Sequence, residues 1–408
     1  MKNKSLVIKT SIGFFLISIL FYLMMFGNYP VESTPKYKRI IRLWHHFNQP
    51  EELRMLKKYL MQFNEKFPDV KVETLSFEFY AYRKALGDYL NTKKSPDIIL
   101  APNDWLGEFV DKGLIQNLTA LNYDYNSALP ICKEQAKLNN VYYGLPFLTE
   151  TIALYYNRKL IQTPPKTLDE LVASMKIIKS KKLVPIAWDM ASAYYLLPWY
   201  FGFGGKLNIK NNAMTIDKAA FVQTLNFWMD TDNKNKLTMP MMKYDYRQMI
   251  NYFAAGSLAY MINGPWCLGD LKTSRVNFGI ASLPKISSTG LDVSPLIGTQ
   301  MFCLASRTKF DEQIKELLKI LVCPEFQIEF AKNLGRLPAN QNAYKAFDKK
   351  KEWIISGFYE QIQKGKSMPS GSTMQKLWDN LSTDNLSKVL SKKETVQQFL
   401  DHHKDFIK

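Results

Sequence analysis

Ala259-Tyr-Met-Ile-Asn-Gly-Pro-Trp-Cys-Leu-Gly-Asp270 is the stretch on which the reading of the fold turns. The apolar run from Leu258 to Ile262 predicts a buried strand, Asn263-Gly264 ends it, and Pro265 fixes φ where a helix can begin. Trp266 therefore stands on a rigid corner between the carboxyl end of a strand and the amino end of a helix. Open α/β sheets bind their ligands at such corners. The indole there has two readings: a core anchor, or a flat surface for the C–H face of a sugar whose hydroxyls bond to neighbouring groups.

Outward from the corner the chain keeps an α/β rhythm. Residues 39–44 predict a first strand, Asn48 a helix cap with Pro50 in the first turn, and Leu53, Leu56, Leu60, Phe63 and Phe67 a helix by their spacing. A second strand is predicted at 70–77, a second helix at 82–90 and a buried parallel strand at 97–101, after which Asp104 can cap a helix ending near Gly113. Strand and helix in alternation make a doubly wound parallel sheet. Beyond Leu148 come a strand at 150–157, a helix at 168–179 opened by Pro164-Pro-Lys-Thr167, and a strand at 184–188. An aromatic cluster follows, Trp188, Tyr194, Tyr195, Trp199, Tyr200 and Phe201, and helices at 218–231 and 246–255 lead into the Trp266 corner. Residues 343–406 read as helices, with Trp378 on one of them.

Composition narrows the function classes. The 408 residues suffice for two domains with sizeable cores, and the 46% hydrophobic share is that of a globular protein. Cys132, Cys267, Cys303 and Cys323 have no C-x-x-C spacing and read as small buried hydrophobes. Lys2, Lys4 and Lys9 precede the uncharged, apolar 12–27, which has the form of an export signal. The uncharged run extends over 10–31, with neither an A-x-A triplet nor a cysteine at its end, so residues 1–35 are either a signal peptide or a retained membrane anchor. The formal charge is +17, and removing 1–35, with three Lys and one Glu, leaves +15. The lysines are dispersed, and no nucleic-acid partner is expected of an exported chain. Gly202-Phe-Gly-Gly205 lacks the dinucleotide spacing, adjacent His45 and His46 point to opposite faces of a strand, and G-x-S-x-G and H-E-x-x-H are absent. No cofactor, metal or catalytic residue is assigned.

Asn263-Gly-Pro-Trp266, followed by Thr273-Ser-Arg-Val-Asn-Phe-Gly279 and Leu283-Pro284, resembles the corresponding segment of maltose-binding proteins, the sugar receptors of ABC importers. Pro96-Asp-Ile-Ile99, Tyr143-Gly-Leu-Pro146 with Glu150, Tyr155-Tyr-Asn157, Pro164-Pro-Lys-Thr167 with Glu170, and Met368-Pro369 with Trp378 extend the resemblance from about Ile41 to about Leu390. It implies an α/β, periplasmic-binding-protein-like fold: two doubly wound lobes with a hinge and a central ligand cleft. The implied lobes are 36–148 plus 298–330, and 149–297 plus 331–408.

The resemblance also implies binding positions. Trp266 and Trp378 match two stacking tryptophans and Tyr194 a stacking tyrosine. Asp104 matches a hydroxyl-accepting aspartate, with a helix cap as its alternative role, and Glu150 a ligand-binding glutamate, with a hinge salt bridge as its alternative. Trp105 stands where the family carries arginine, Ser192 where it carries glutamate, and Asn48 and Gln49 where it carries aspartate and lysine. The implied function is an extracytoplasmic receptor that binds a sugar or oligosaccharide and delivers it to a permease, as a monomer. Three alternatives stand beside it: a receptor for a phosphorylated or acidic sugar such as glycerol phosphate, suggested by Arg83 and the positive charge; a glycoside hydrolase using Asp104 and Glu150; and an anchored sensory or adhesion module.

Overall fold

The computed structural model describes residues 37–211, 213–239, 246–272 and 274–408. The N-terminal segment read as signal or anchor, 1–35, lies outside the described residues. The first sheet is nucleated by Arg39–His45, whose alternating Ile41 and Leu43 are fully buried; it pairs in parallel with Val70–Ser76 on one side and Ile98–Pro102 on the other. Leu296–Leu304 then adds antiparallel to Ile98–Pro102, Gly144–Glu150 antiparallel to Leu296–Leu304, and Leu337–Pro338 closes that edge. The strands Ile98–Pro102, Gly144–Glu150 and Leu296–Leu304 are buried along their whole length, as expected of a sheet covered on both faces.

The second sheet runs Phe278–Ala281, Ala153–Asn157, Leu258–Asn263, Val184–Ala187 in spatial order. Its two faces bury different partners. Tyr260 and Ile262 join a core with helices Leu168–Ser180, Ala193–Gly202 and Lys218–Met229, while Met261 and Tyr155 join another with helices Tyr246–Ala254 and Trp353–Ile362. Helices on both faces of each sheet give the two doubly wound lobes expected from the alternation.

The run predicted as one strand at 150–157 is two strands in different sheets. Gly144–Glu150 ends in the first, Thr151 and Ile152 cross, and Ala153–Asn157 begins the second. Leu296–Leu304 brings the chain back, and helix Pro324–Leu334 stays with the first core through Phe326, Phe330 and Leu334. A further tie comes from the C-terminal part, where Lys366–Ser367 pairs with Leu296–Ile297. Among the described residues no helix is long and apolar enough to cross a membrane.

Two caps depart from expectation. Helix Pro50–Lys66 is capped at Gln49, not Asn48, because the Glu52 carboxylate turns back to accept the backbone N–H groups of both residues. Asp104 caps nothing: it sits inside the short 3₁₀ turn Asn103–Trp105, which leads into helix Leu106–Asp111 without a side-chain cap.

Candidate functional site

The Trp266 corner forms as its residue types dictate. Strand Leu258–Asn263 ends, Pro265–Cys267 makes a 3₁₀ turn, and helix Leu268–Leu271 follows. Asn263 Oδ1 locks the break by accepting from its neighbour Gly264 N–H and from the hydroxyls of Tyr195 and Tyr246 at 2.9, 3.0 and 3.2 Å. The Trp266 ring folds back over Gly264, where a Cβ would lie 2.1 Å from its Cζ3. Tyr194, in the first turn of helix Ala193–Gly202, stands beside it with ring centroids 6.3 Å apart. The Tyr194 hydroxyl donates to the Leu296 carbonyl on the returning strand, at 3.1 Å. Trp266 and Tyr194 are each half-buried.

From the other lobe come the acids. The Trp378 indole N–H, on helix Thr373–Asn380, donates to Asp104 Oδ2 at 2.8 Å. Burial holds the Asp104 carboxyl above the usual carboxylate range, against the pull of that bond and of Arg83. Glu150 and Asp104 both act electrostatically on the Tyr194 phenol, whose proton burial already holds tightly. Trp378 is thus bonded to Asp104, Tyr194 stands beside Trp266, and Glu150 and Asp104 both lie close enough to act on Tyr194.

Glu150 is also a hinge ion-pair partner. Arg336 donates one guanidinium nitrogen to Glu52 and the other to Glu150, each at 2.5 Å, and all three side chains are buried. The two roles are compatible, because Glu150 Oε2 is buried with no hydrogen-bond partner among the described residues. An acceptor in that condition is destabilising until something donates to it. Burial raises the Glu150 carboxyl, opposed by Arg336 and reinforced by Glu52.

The remaining predicted residues divide. Gln49 reaches the second lobe, its Cδ and Oε1 each 3.0 Å from where a Cβ on Gly269 would stand, whereas Asn48 is exposed. Trp105 is corrected: it is 3% exposed, sunk in the first core against Phe79 and Tyr82 at 5.3 and 6.0 Å, with the Arg83 guanidinium 5.1 Å from its ring. An indole in place of a charged chain gains most by leaving water, and here it does. Arg83 is likewise engaged, with Glu108 at 2.6 Å and with Gln375 of the opposite lobe. Its charge is balanced within the protein, which removes the main support for an acidic ligand.

Several bridging side chains escaped the sequence. Asn103 Nδ2 donates to the Met368 carbonyl at 2.9 Å and to Ser370 Oγ at 3.1 Å, while its Oδ1 accepts from Thr299 N–H at 3.0 Å. Gln135 Nε2 donates to the Ile297 and Met368 carbonyls, and its Oε1 accepts from Thr299 Oγ1. These amides stitch the Met368–Ser370 segment to the hinge strands. His46 Nε2 meets Gln300 Oε1 at 3.1 Å, and burial lowers the imidazole to about 4, so it is neutral near pH 7. Only the adjacency of Asn103 to Asp104 and of Arg336 to the helix-ending Gly335 hinted at any of this.

Two doubly wound lobes joined by antiparallel strands make the frame of a two-lobed α/β protein. Residues 58–356 match the family model described as bacterial extracellular solute-binding protein, and this chain belongs to that family. It is 28% identical over 345 residues to the maltotriose-binding protein of Pyrococcus abyssi, covering 82% of this chain and 74% of that one. It is 24% identical over 356 residues to the maltodextrin-binding protein MdxE of Bacillus subtilis, with 83% and 84% covered. Among solved structures, the GacH receptor of Streptomyces glaucescens superposes with a TM-score of 0.81 at 20% identity over 90% of this chain and 97% of that one. The Thermus thermophilus maltotriose binding protein gives 0.78 at 24% identity, with 90% and 97% covered. These superpositions establish the periplasmic-binding-protein fold.

Proposed function

We propose that this protein is the receptor of an ABC importer, that it binds a neutral oligosaccharide unchanged in the gap between its lobes, and that it presents the closed complex to a permease. The unpartnered, buried Glu150 Oε2 carries the reading. It needs a donor, and a sugar hydroxyl supplies one where Trp266 and Tyr194 supply faces for the ring. Asp104 is the second acceptor, and its bond to Trp378 orients that indole. Relatives named for maltotriose and maltodextrin fit the same chemistry.

The acid pair stays non-catalytic in this reading, so oligosaccharides are returned uncut. Residues 1–35 hold the exported protein at the outer face of the membrane or are removed on export, and the receptor acts as a monomer. A thermal-shift screen over mono-, di- and trisaccharides and sugar phosphates tests the proposal, because a ligand at 100 times its Kd stabilises by about 2.7 kcal/mol. Neutral oligosaccharides are expected to give the largest shifts, and Trp266→Ala to abolish them. A variant that keeps the full shift, or a preference for sugar phosphates, would overturn it.

A further inference from the structure

Tyr80 is 77% exposed, more than any other large apolar or aromatic side chain among the described residues. It is not a stray surface residue. Strand Val70–Ser76 is followed three residues later by helix Phe79–Tyr89. Glu78 caps that helix, its Oε2 accepting from Tyr80 N–H at 2.9 Å and Ala81 N–H at 3.1 Å, so the backbone beneath Tyr80 is fixed. Phe79, 37% exposed, meets the Tyr80 ring edge to face at 5.8 Å and packs on its other side against Trp105 and His46. An aromatic relay therefore runs from the first core out to Tyr80.

The same helix faces the second lobe. One turn on, Arg83 bonds Gln375 across the gap. Asp189, a second-lobe residue, lies close enough to act electrostatically on the Tyr80 phenol. Asp189 is fixed by Ala191 N–H, which donates to its Oδ1 at 3.2 Å, and its other oxygen has no partner among the described residues. An anchored ring open to water, with a carboxylate oxygen to spare nearby, is the pairing a sugar needs.

We propose that Tyr80, backed by Phe79, is an outer stacking platform at the mouth of the gap, which holds the outer rings of an oligosaccharide whose inner rings lie against Trp266 and Trp378, while Asp189 accepts from their hydroxyls. This inference rests on the saccharide reading above and adds to it a preference for chain length. Tyr80 is not needed to close the inner site, so it acts only on ligands long enough to emerge.

Calorimetric titration of the full protein with maltose, maltotriose and maltotetraose tests it. Tyr80→Ala is expected to weaken maltotetraose about tenfold, equivalent to about 1.4 kcal/mol, and to leave maltose within twofold. Tyr80→Phe should keep the length preference, and Asp189→Asn should show a smaller loss confined to the longer ligands. Trp266→Ala is the control and should weaken all three. If wild type binds none of the series, or Trp266→Ala changes nothing, the saccharide reading fails and this inference with it. If Trp266→Ala weakens all three while Tyr80→Ala weakens them equally or not at all, the platform alone is wrong. Loss of uptake by cells with unchanged binding would reassign Tyr80 to a contact with the importer, and would equally overturn the proposal.

Discussion

Gly264 makes room for Trp266. Its φ of −96° is open to any residue, so the requirement is for space and not for backbone freedom. Gly264→Ala would drive a methyl group into the indole, and the ring must leave its place over the turn. We expect affinity for the best oligosaccharide to fall at least about tenfold, with a stability loss of about 1–3 kcal/mol, typical of overpacking. Titration calorimetry and urea unfolding measure the two effects separately. Unchanged affinity in a folded variant would show that the Trp266 ring is not a contact surface.

The Arg336 pair belongs to the scale of elements, since it ties helix Pro50–Lys66, the end of strand Gly144–Glu150 and the chain entering Leu337–Pro338. Two carboxylates on one guanidinium leave a buried negative excess, consistent with the raised Glu150 carboxyl. Arg336→Met removes the guanidinium that both carboxylates share and should cost about 3–5 kcal/mol at pH 7.5. The sign of its pH dependence follows from linkage. Loss of the cation raises the folded-state carboxyl further above its unfolded value, so protonation favours the folded form and the deficit shrinks as pH falls toward 5. Urea denaturation at pH 7.5 and 5.5 checks this, and a deficit that grows on acidification would contradict it.

Across the whole molecule, Asp104 with Trp378, Arg83 with Gln375 and Gln49 against Gly269 are among the contacts that bridge the lobes. In the proposed reading, a ligand that satisfies Glu150 and Asp104 together biases the population toward the arrangement in which the lobes meet. Small-angle scattering should therefore show a fall in radius of gyration on saturation with maltotriose, and none for Trp266→Ala at the same concentration. A ligand-saturated wild type with an unchanged radius would mean that binding occurs without closure.

The alternation of short apolar runs with helical spacing determined the doubly wound lobes, and the Asn263-Gly-Pro sequence determined the corner that carries Trp266, because strand burial, chain breaking and the φ of proline act locally. The aromatic cluster was visible in the sequence, while the burial of Trp188, Trp199 and Tyr200 in the second lobe's core came from packing. The split of 150–157 between two sheets, the burial of Trp105, the engagement of Arg83 by Glu108 and Gln375, and the Glu52, Arg336 and Glu150 cluster were decided only by tertiary structure. Each depends on which distant side chain arrives opposite, as Arg336 does 186 residues after Glu150, and local sequence carries no term for that encounter.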